Sequence, residues 1–527
     1  MTLGQHFTPQ ALARWLVERA LSEPWSRSGP LRAVDPACGQ GVFLEAIGDA
    51  LGAGQSALEL VGVDLDPVAL DVARQRVPTA KLSQGDALAI AGRAPLREAS
   101  FDLVALNPPY IGEKGNRSLF AEVADLSPKW RSRAVARMDY LYFFLHLGLD
   151  LLKTGGRMVA LTTAYWPAAT SARALRADLA QRGAIMRWIA FEGSPIFPGA
   201  PGQHNLAFIV EKVAQPAQRT WTLERVRAGR GVPETISCEA GHPPLDGASP
   251  WQPFIGAEDR RLAAEDAARW ETRLYDLALD RQGVVSGCDR ISARHRATLG
   301  PECPVGAPVF TVTGAEVVER GWHLDPEVTS RLEPLLRGSE VGRFDIRKTR
   351  SPLTAPGGLA MIYLTRKEPS PPLALLEHLR PYKALLSARR EVKTGVMPWW
   401  ALHWPRRLEQ MRRPKIVTAR RGKTMRFCLD LAGHVVSSDC TFILARSQDP
   451  RDLELLWMTL HLESVERALR ANGKLKGGLM EFYSDPLRRL SLPIAMGPSP
   501  WKSLESDQLE ALRAGAARSG LLTLSTT

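Results

Sequence analysis

Asn107-Pro108-Pro109-Tyr110 closes the apolar run Phe101–Asn107 of this 527-residue chain. Two consecutive prolines donate no backbone hydrogen bond, so the chain must leave a sheet at this point. The turn holds the Asn107 side-chain oxygen and the Pro108 carbonyl as rigid acceptors, with the Tyr110 ring beside them. Such a trio suits a planar exocyclic amine or a side-chain amide. The two oxygens take the N–H hydrogens and the ring stacks on the planar group. Accepting both hydrogens draws the nitrogen toward sp³ geometry and restores its lone pair. Positioning against an electrophilic methyl then does most of the catalysis, with no metal and no strong base required.

Three acids at earlier strand ends could hold the methyl donor. Asp35-Pro36-Ala37-Cys38-Gly39-Gln40-Gly41 follows a first strand and opens a helix. Its glycines permit a tight turn and close approach of a ligand to the backbone, and the helix N-terminus offers free N–H groups. This is neither GxGxxG nor a P-loop, because the Lys-Ser/Thr that would hold a triphosphate is missing. Asp64, in Val61-Gly62-Val63-Asp64-Leu65-Asp66-Pro67, ends the next strand, where a carboxylate can accept from ribose hydroxyls. Asp86, in Gly85-Asp86-Ala87-Leu88, stands where a third strand should end. Three acids at successive strand ends describe a nucleoside pocket at the carboxyl edge of a sheet.

Positioning these groups takes a parallel α/β sheet. Short β-branched runs alternate with helical stretches over roughly the first 213 residues: strands are expected at 31–37, 58–65, 101–107, 156–163, 185–192 and 205–212. GVFLEAIGDAL and DYLYFFLHLGLDLL read as helices, the latter stopping at Lys153-Thr154-Gly155-Gly156. The Pro/Gly/Ser-rich stretch 240–254 reads as a linker, followed by a charged helix from about Glu258 to Leu279. Beyond it, Gly/Pro turns mix with short strands such as APVFTV and KIVTARR, an α+β pattern. The expected division is a catalytic domain at 1–235 and a second domain at 236–527.

Composition narrows the function classes. Hydrophobic residues are 45% and charged residues 24%, globular values, and no run reaches the ~18 apolar residues of a membrane span. No secretory signal is read at the N-terminus. The six cysteines are scattered, with no CxxC and no histidines at ligand spacing, which disfavours a disulfide scaffold or a zinc site and fits a cytoplasmic protein. The net charge of +12 is concentrated: residues 351–450 hold 17 Lys+Arg against 7 Asp+Glu. The densest part, Arg380–Arg426, interleaves Tyr382, Trp399, Trp400 and Trp404 with its cations. It suits a polyanion whose phosphates release counterions and whose bases stack, or equally a solvated basic surface over buried tryptophans.

The order Gly4-Gln5-His6-Phe7-Thr8-Pro9, DPACGQG, VGVDLDP, GDAL and NPPY resembles the S-adenosylmethionine-dependent N6-adenine DNA methyltransferases of the gamma arrangement, TaqI-type and Eco57I-type enzymes above all. Gly283–Gly287, Leu335–Val341 and Asn472–Gly478 are similar, more loosely, to that family's specificity region. The resemblance implies a Rossmann-like class I methyltransferase domain followed by a mixed α+β target-recognition domain. It implies that Thr8 touches the cofactor carboxylate and that the turn of Asp35, Pro36, Ala37, Gly39 and Gly41 wraps the methionine moiety. Asp64 would hold the ribose hydroxyls and Asp86 the adenine amino group of S-adenosyl-L-methionine, with Asn107 bordering both ligands. Asn107 and Pro108, stiffened by Pro109, would bind the target amine. Tyr110 would stack on the extruded base, with Phe197 of the Phe197-Pro198 pair on its other face. The lysine that follows this pair in TaqI-type enzymes has no counterpart in Gly199–Gln203. The implied partners are double-stranded DNA and a separately encoded restriction endonuclease, with no membrane.

Other readings remain at this stage. Glutamine methylation of release factors and base methylation of ribosomal RNA also use NPPY, in generally shorter chains with their extra domain in front. A bifunctional enzyme that also cuts would carry a nuclease domain ahead of the methylase, and Thr8 at the N-terminus leaves it no space. A recognition subunit without catalysis would not be expected to keep an intact NPPY.

Overall fold

A computed structural model of the chain describes residues 7–25, 29–52, 58–192, 196–197, 203–215, 221–227, 232–241, 251, 257–342, 357–422, 424–476, 479–482, 487–494 and 505–518. The chain divides into two units, one of residues 1–258 with 474–478, the other of 259–473 with 479–527.

The first unit follows the expected alternation: α1 (Gln10–Leu21), β1 (Leu31–Asp35), α2 (Val42–Leu51), β2 (Leu58–Asp64), α3 (Pro67–Arg76), β3 (Lys81–Gln84) and β4 (Phe101–Leu106). Then come α4 (Arg117–Leu126), α5 (Pro128–Arg133), α6 (Leu141–Leu151), β5 (Leu152–Thr163), α7 (Arg173–Arg182), β6 (Gly183–Glu192), β7 (Asn205–Lys212), β8 (Trp221–Arg227) and β9 (Glu234–Gly241). The nine strands lie in the order β3-β2-β1-β4-β5-β7-β6-β8-β9. β1 to β5 are mutually parallel, and β7 inserts antiparallel between β5 and β6. The order reverses between β1 and β4, the crevice where open α/β sheets bind ligands.

Side chains alternate across the sheet with period two. Ala33, Leu103, Ala105 and Val159 pack under α1, α2 and α3, while Val34, Val104, Leu106 and Met158 pack under the helices after β4. α6 is apolar all round and every one of its residues is buried. Arg157 of β5, 1% exposed, donates to the carbonyls of Ala20 (2.8 Å), Glu23 (3.1 Å) and Pro24 (2.6 Å) at the end of α1. It satisfies the acceptors that a helix C-terminus leaves open.

Two features depart from expectation. β8 and β9 pair antiparallel from Trp221↔Gly241 to Arg227↔Glu234, so backbone hydrogen bonds carry the sheet through residue 235, where the first domain was expected to end. The charged helix expected to Leu279 stops at Arg269, a short turn follows at Leu274–Leu277, and Ala278–Gln282 is a strand. That strand, β10, pairs antiparallel with Cys440–Ala445, a partner remote in sequence that overrides local helix propensity. The linker at 240–254 lies almost wholly outside the described residues.

The second unit holds two four-stranded sheets. One orders β10, Cys440–Ala445, Lys415–Ala419 and Phe427–Asp430, and the other orders Thr311–Thr313, Leu359–Ile362, Leu332–Leu336 and Val435–Val436. They share one apolar core through residues such as Val417, Phe442, Leu335 and Met361. All six cysteines are free thiols. No helix among the described residues is long and apolar enough to cross a membrane.

Candidate active site

Asp35, the last residue of β1, is 2% exposed and accepts a hydrogen bond from the Ala37 N–H at 3.0 Å. Burial pushes its carboxyl up to about 8, against the Ala37 bond and with help from the charge of Asp64. The turn closes through Gly41 N–H to Cys38 O at 2.8 Å. Gly39 (φ +49°) and Gly41 (φ +78°) take left-handed conformations open to glycine. A Cβ on Gly41 would stand 3.1 Å from that of Ala73. Gly41 is the N-cap of α2 and brings no side chain over the first-turn amides. Burial raises the Cys38 thiol far above the usual range, which removes it as a nucleophile.

Asp64 ties β2 to this turn. Its two oxygens accept from the Gly39 N–H at 2.7 Å and the Asp66 N–H at 2.9 Å. A carboxylate has about four acceptor positions, so each oxygen keeps a lone pair for a ligand. Asp66 caps α3 through Val68 and Ala69 with Pro67 at the first helical position. Asp86, two residues past β3, accepts the Leu88 N–H at 2.9 Å and is half-buried.

Asn107 follows β4 across the switch point from Asp35. Its Nδ2 donates to Thr8 Oγ1 at 3.0 Å, and its Oδ1 accepts from the Tyr110 hydroxyl at 2.7 Å. The same hydroxyl reaches Leu161 O at 3.2 Å. The Phe197 ring meets that of Tyr110 edge-on, centroids 6.5 Å apart at 63°. The fold thus brings Thr8, Asn107 with Tyr110, and Phe197 together from three separate segments. Pro108 is buried and Pro109 half-buried. The Tyr110 hydroxyl turns inward because a buried phenol needs partners. Burial raises its pKa well above the ordinary value, so it stays a donor. Gly4, Gln5, His6, Pro198 and Gly199–Gly202 lie outside the described residues.

Sequence reasoning missed a support for this loop. Asp139 Oδ1 accepts from Ile111 N–H at 3.2 Å and Leu141 N–H at 3.1 Å, and Asp139 Oδ2 accepts from the Tyr165 hydroxyl. Asp139 therefore fixes the backbone just past Tyr110 to the start of α6. An acid ahead of an apolar helix is a recognisable start signal; its hold on Ile111 is tertiary. Asn205 of β7, also missed, is buried and donates to Thr162 O at 3.3 Å.

The basic segment divides into two populations. Arg389 donates to the carbonyls of Leu386, Ser286, Ala401 and Trp399. Lys415 is fully buried against Asp430 at 2.5 Å. Arg412 pairs with Glu333, Arg421 with Glu481 at 2.9 Å, and Arg420 reaches Ser438 O. Trp399, Trp400 and Tyr382 pack on the core. Arg390, Lys393, Arg407, Arg413 and Trp404 are exposed. Lys423 lies outside the described residues.

Residues 79–197 match the family described as Eco57I restriction-modification methylase, and residues 34–108 match a methyltransferase domain. The Type II methyltransferase M.TthHB8I of Thermus thermophilus is 32% identical over 203 residues, 38% of this chain and 42% of that protein. The chain thus spans about two-fifths of the length of that relative. M.BanIII of Aneurinibacillus aneurinilyticus is 21% identical over 93% of this chain and 89% of its own. Among solved structures, the Type IIL restriction-modification enzyme MmeI in complex with DNA aligns over 98% of this chain and 73% of its own, with a TM-score of 0.57 at 12% identity. The likeness is to methyltransferases of restriction-modification type. The fold is that of a class I methyltransferase domain with a C-terminal extension, and the cofactor that goes with this domain is S-adenosylmethionine.

Proposed function

We propose that this chain is a site-specific DNA adenine N6-methyltransferase that extrudes its target adenine and methylates it from S-adenosyl-L-methionine. The observation that carries the reading is Asn107, clamped between Thr8 and Tyr110 at the switch point of the sheet, one strand from the Asp35–Gly41 turn. The cofactor would supply an electrophilic methyl. The residues present fit it: Asp64 has lone pairs for vicinal hydroxyls, Asp86 an acceptor for an amino group, and the uncapped α2 amides suit a carboxylate. Leu65, 65% exposed beside Asp64, offers an apolar face to a purine.

Asn107 Oδ1 and the Pro108 carbonyl accept the two hydrogens of the target amine, which directs the nitrogen lone pair toward the cofactor side. Tyr110 and Phe197 flank the base, and their edge-on contact opens to admit it. The Thr8 hydroxyl holds Asn107 Nδ2 so that the amide cannot turn its donor toward the substrate. Extruding the nucleotide costs a few kcal/mol of lost stacking and pairing, offset by these contacts. The residues after Glu258 serve as the target-recognition domain, with the exposed cations of the basic segment on phosphates. The names of the relatives support a restriction-modification setting; a separately encoded endonuclease is the partner this reading proposes.

Transfer of labelled methyl groups to duplex DNA, followed by sequencing that reads modified bases, tests the reading. Labelled adenine at a fixed sequence is expected. Label on ribosomal RNA or release-factor glutamine, with none on DNA, would overturn it.

A further inference from the structure

The second unit contains a cleft of about 740 Å³ to which the reading above assigns no ligand of its own. Pockets of ~300–1,000 Å³ hold ligands up to the size of a nucleotide. Trp404 lines it and is 53% exposed, unlike its neighbours Trp399 and Trp400. An exposed indole is set where its ring face can be used.

The backbone that carries the ring is held in place. Trp404 N–H donates to Val285 O at 2.8 Å, and Val285 N–H returns to Trp404 O at 3.1 Å. The His403 imidazole lies stacked on the indole, centroids 4.8 Å apart at 29°, with Glu391 3.4 Å from His403 Nε2. The Arg406 guanidinium stands 5.8 Å from the indole centroid. Arg406 itself takes φ +68°, uncommon for a long side chain. Its carbonyl accepts from the Tyr363 hydroxyl at 3.1 Å, and its Nε donates to Gly283 O at 3.3 Å. Backbone held in such a conformation marks sites where geometry matters.

Cations complete the cleft. Arg366, Lys367 and Arg407 line it and are exposed, and among the described residues none of the three pairs with a carboxylate. A fixed ring face beside uncommitted cations is complementary to a heterocycle carrying a phosphate. We infer that this cleft binds a single nucleotide, its base on Trp404 and its phosphate on Arg366, Lys367 and Arg407. Two sources offer that chemistry: an unpaired nucleotide of a DNA strand, and a free mononucleotide. Only the first source rests on the DNA-methyltransferase reading.

The test uses the full-length protein and two probes. Thymidine monophosphate is titrated calorimetrically, and a labelled duplex carrying one unpaired thymidine is compared with its fully paired counterpart by fluorescence anisotropy. Trp404→Ala is expected to weaken the recognised probe about tenfold, and Trp404→Phe to restore most of the loss. Arg366→Ala with Lys367→Ala should make the strand-borne probe's salt dependence shallower by about 0.7 in logarithmic slope, the share of one phosphate. Monophosphate binding that needs Trp404 identifies a free nucleotide. A Trp404-dependent preference for the unpaired duplex identifies the strand. Equal binding of every probe by wild type and Trp404→Ala, or binding of none, overturns the inference. Methyl transfer to the paired duplex, measured in parallel, separates the two readings. Absence of transfer with Trp404-dependent monophosphate binding would remove the methyltransferase and leave the cleft. Intact transfer with a silent Trp404 would do the reverse.

Discussion

At the carboxyl edge of the nine-stranded sheet the important charges are acidic, and backbone amides of tight turns hold them. In the segment Arg380–Arg426 the charges are basic, and many of them hold the backbone: Arg389 alone meets four carbonyls. The sheet edge is built to present acceptors whose aim is set before a ligand arrives. The basic segment uses part of its charge to close loops of its own unit and turns only the remainder to water. Charge density is therefore a poor guide to contact, while charge whose position is fixed by a turn is a good one.

Removing an internal cation should do most damage. Lys415→Met leaves Asp430, which has no exposure of its own, without its ammonium partner, held by the backbone N–H groups of Ala432, Gly433 and His434 and the His434 ring. A loss of ~3–5 kcal/mol in urea unfolding is expected. A loss below ~1 kcal/mol would place Lys415 with the dispensable surface cations instead.

At the sheet edge, Asn107→Ala should lower single-turnover methyl transfer by ~10²–10³, the usual effect of deleting one positioned polar group, with the fold intact. Transfer at the wild-type rate would end the adenine-pocket reading.

Asp35 gives a pH signature. Its folded-state carboxyl is raised to about 8 from 3.8, so the folded protein keeps a proton that the unfolded chain releases. The stability this group contributes is complete below about pH 4 and is lost as pH rises to about 8, by ~1.4 kcal/mol for each unit. Asp35→Asn should gain on wild type across that window in denaturation at several pH values. A constant difference would show that the carboxyl is ionised throughout.

The smallest effect concerns the outward cations. Arg390→Ala with Lys393→Ala should reduce the salt dependence of duplex binding by about 1.8 in logarithmic slope, at unchanged stability. Arg420→Ala with Arg421→Ala, which charge density alone singles out, should change the slope less, because both side chains already have protein partners. The opposite ranking would reverse the division of this segment.

How much of this could be read from the residues depends on how far each interaction reaches. The glycine turn, the acids at strand ends and NPPY are local chemistry on apolar runs, so their strands appear within a residue or two of expectation. Family resemblance implies a cofactor role for Thr8 and for Asn107 separately, while the bond between them, across 99 positions, is in neither the resemblance nor the spacing. β8 and β9 escaped because their sequences are short and charged. The strand Ala278–Gln282 escaped because its partner lies beyond residue 439. Which arginines are internal was hidden for the same reason: Arg389 finds Ser286 O at a separation of 103 residues.

Arg157 holds the far end of α1 while Thr8, just ahead of that helix, bonds to Asn107. Residues 8–24 therefore act as a strap buckled at both ends to a body that carries its own sheet. A single backbone break between α1 and β1 would spare that sheet's hydrogen bonds yet free Asn107 to swivel. Catalysis and cooperative unfolding would then fail at different doses of protease.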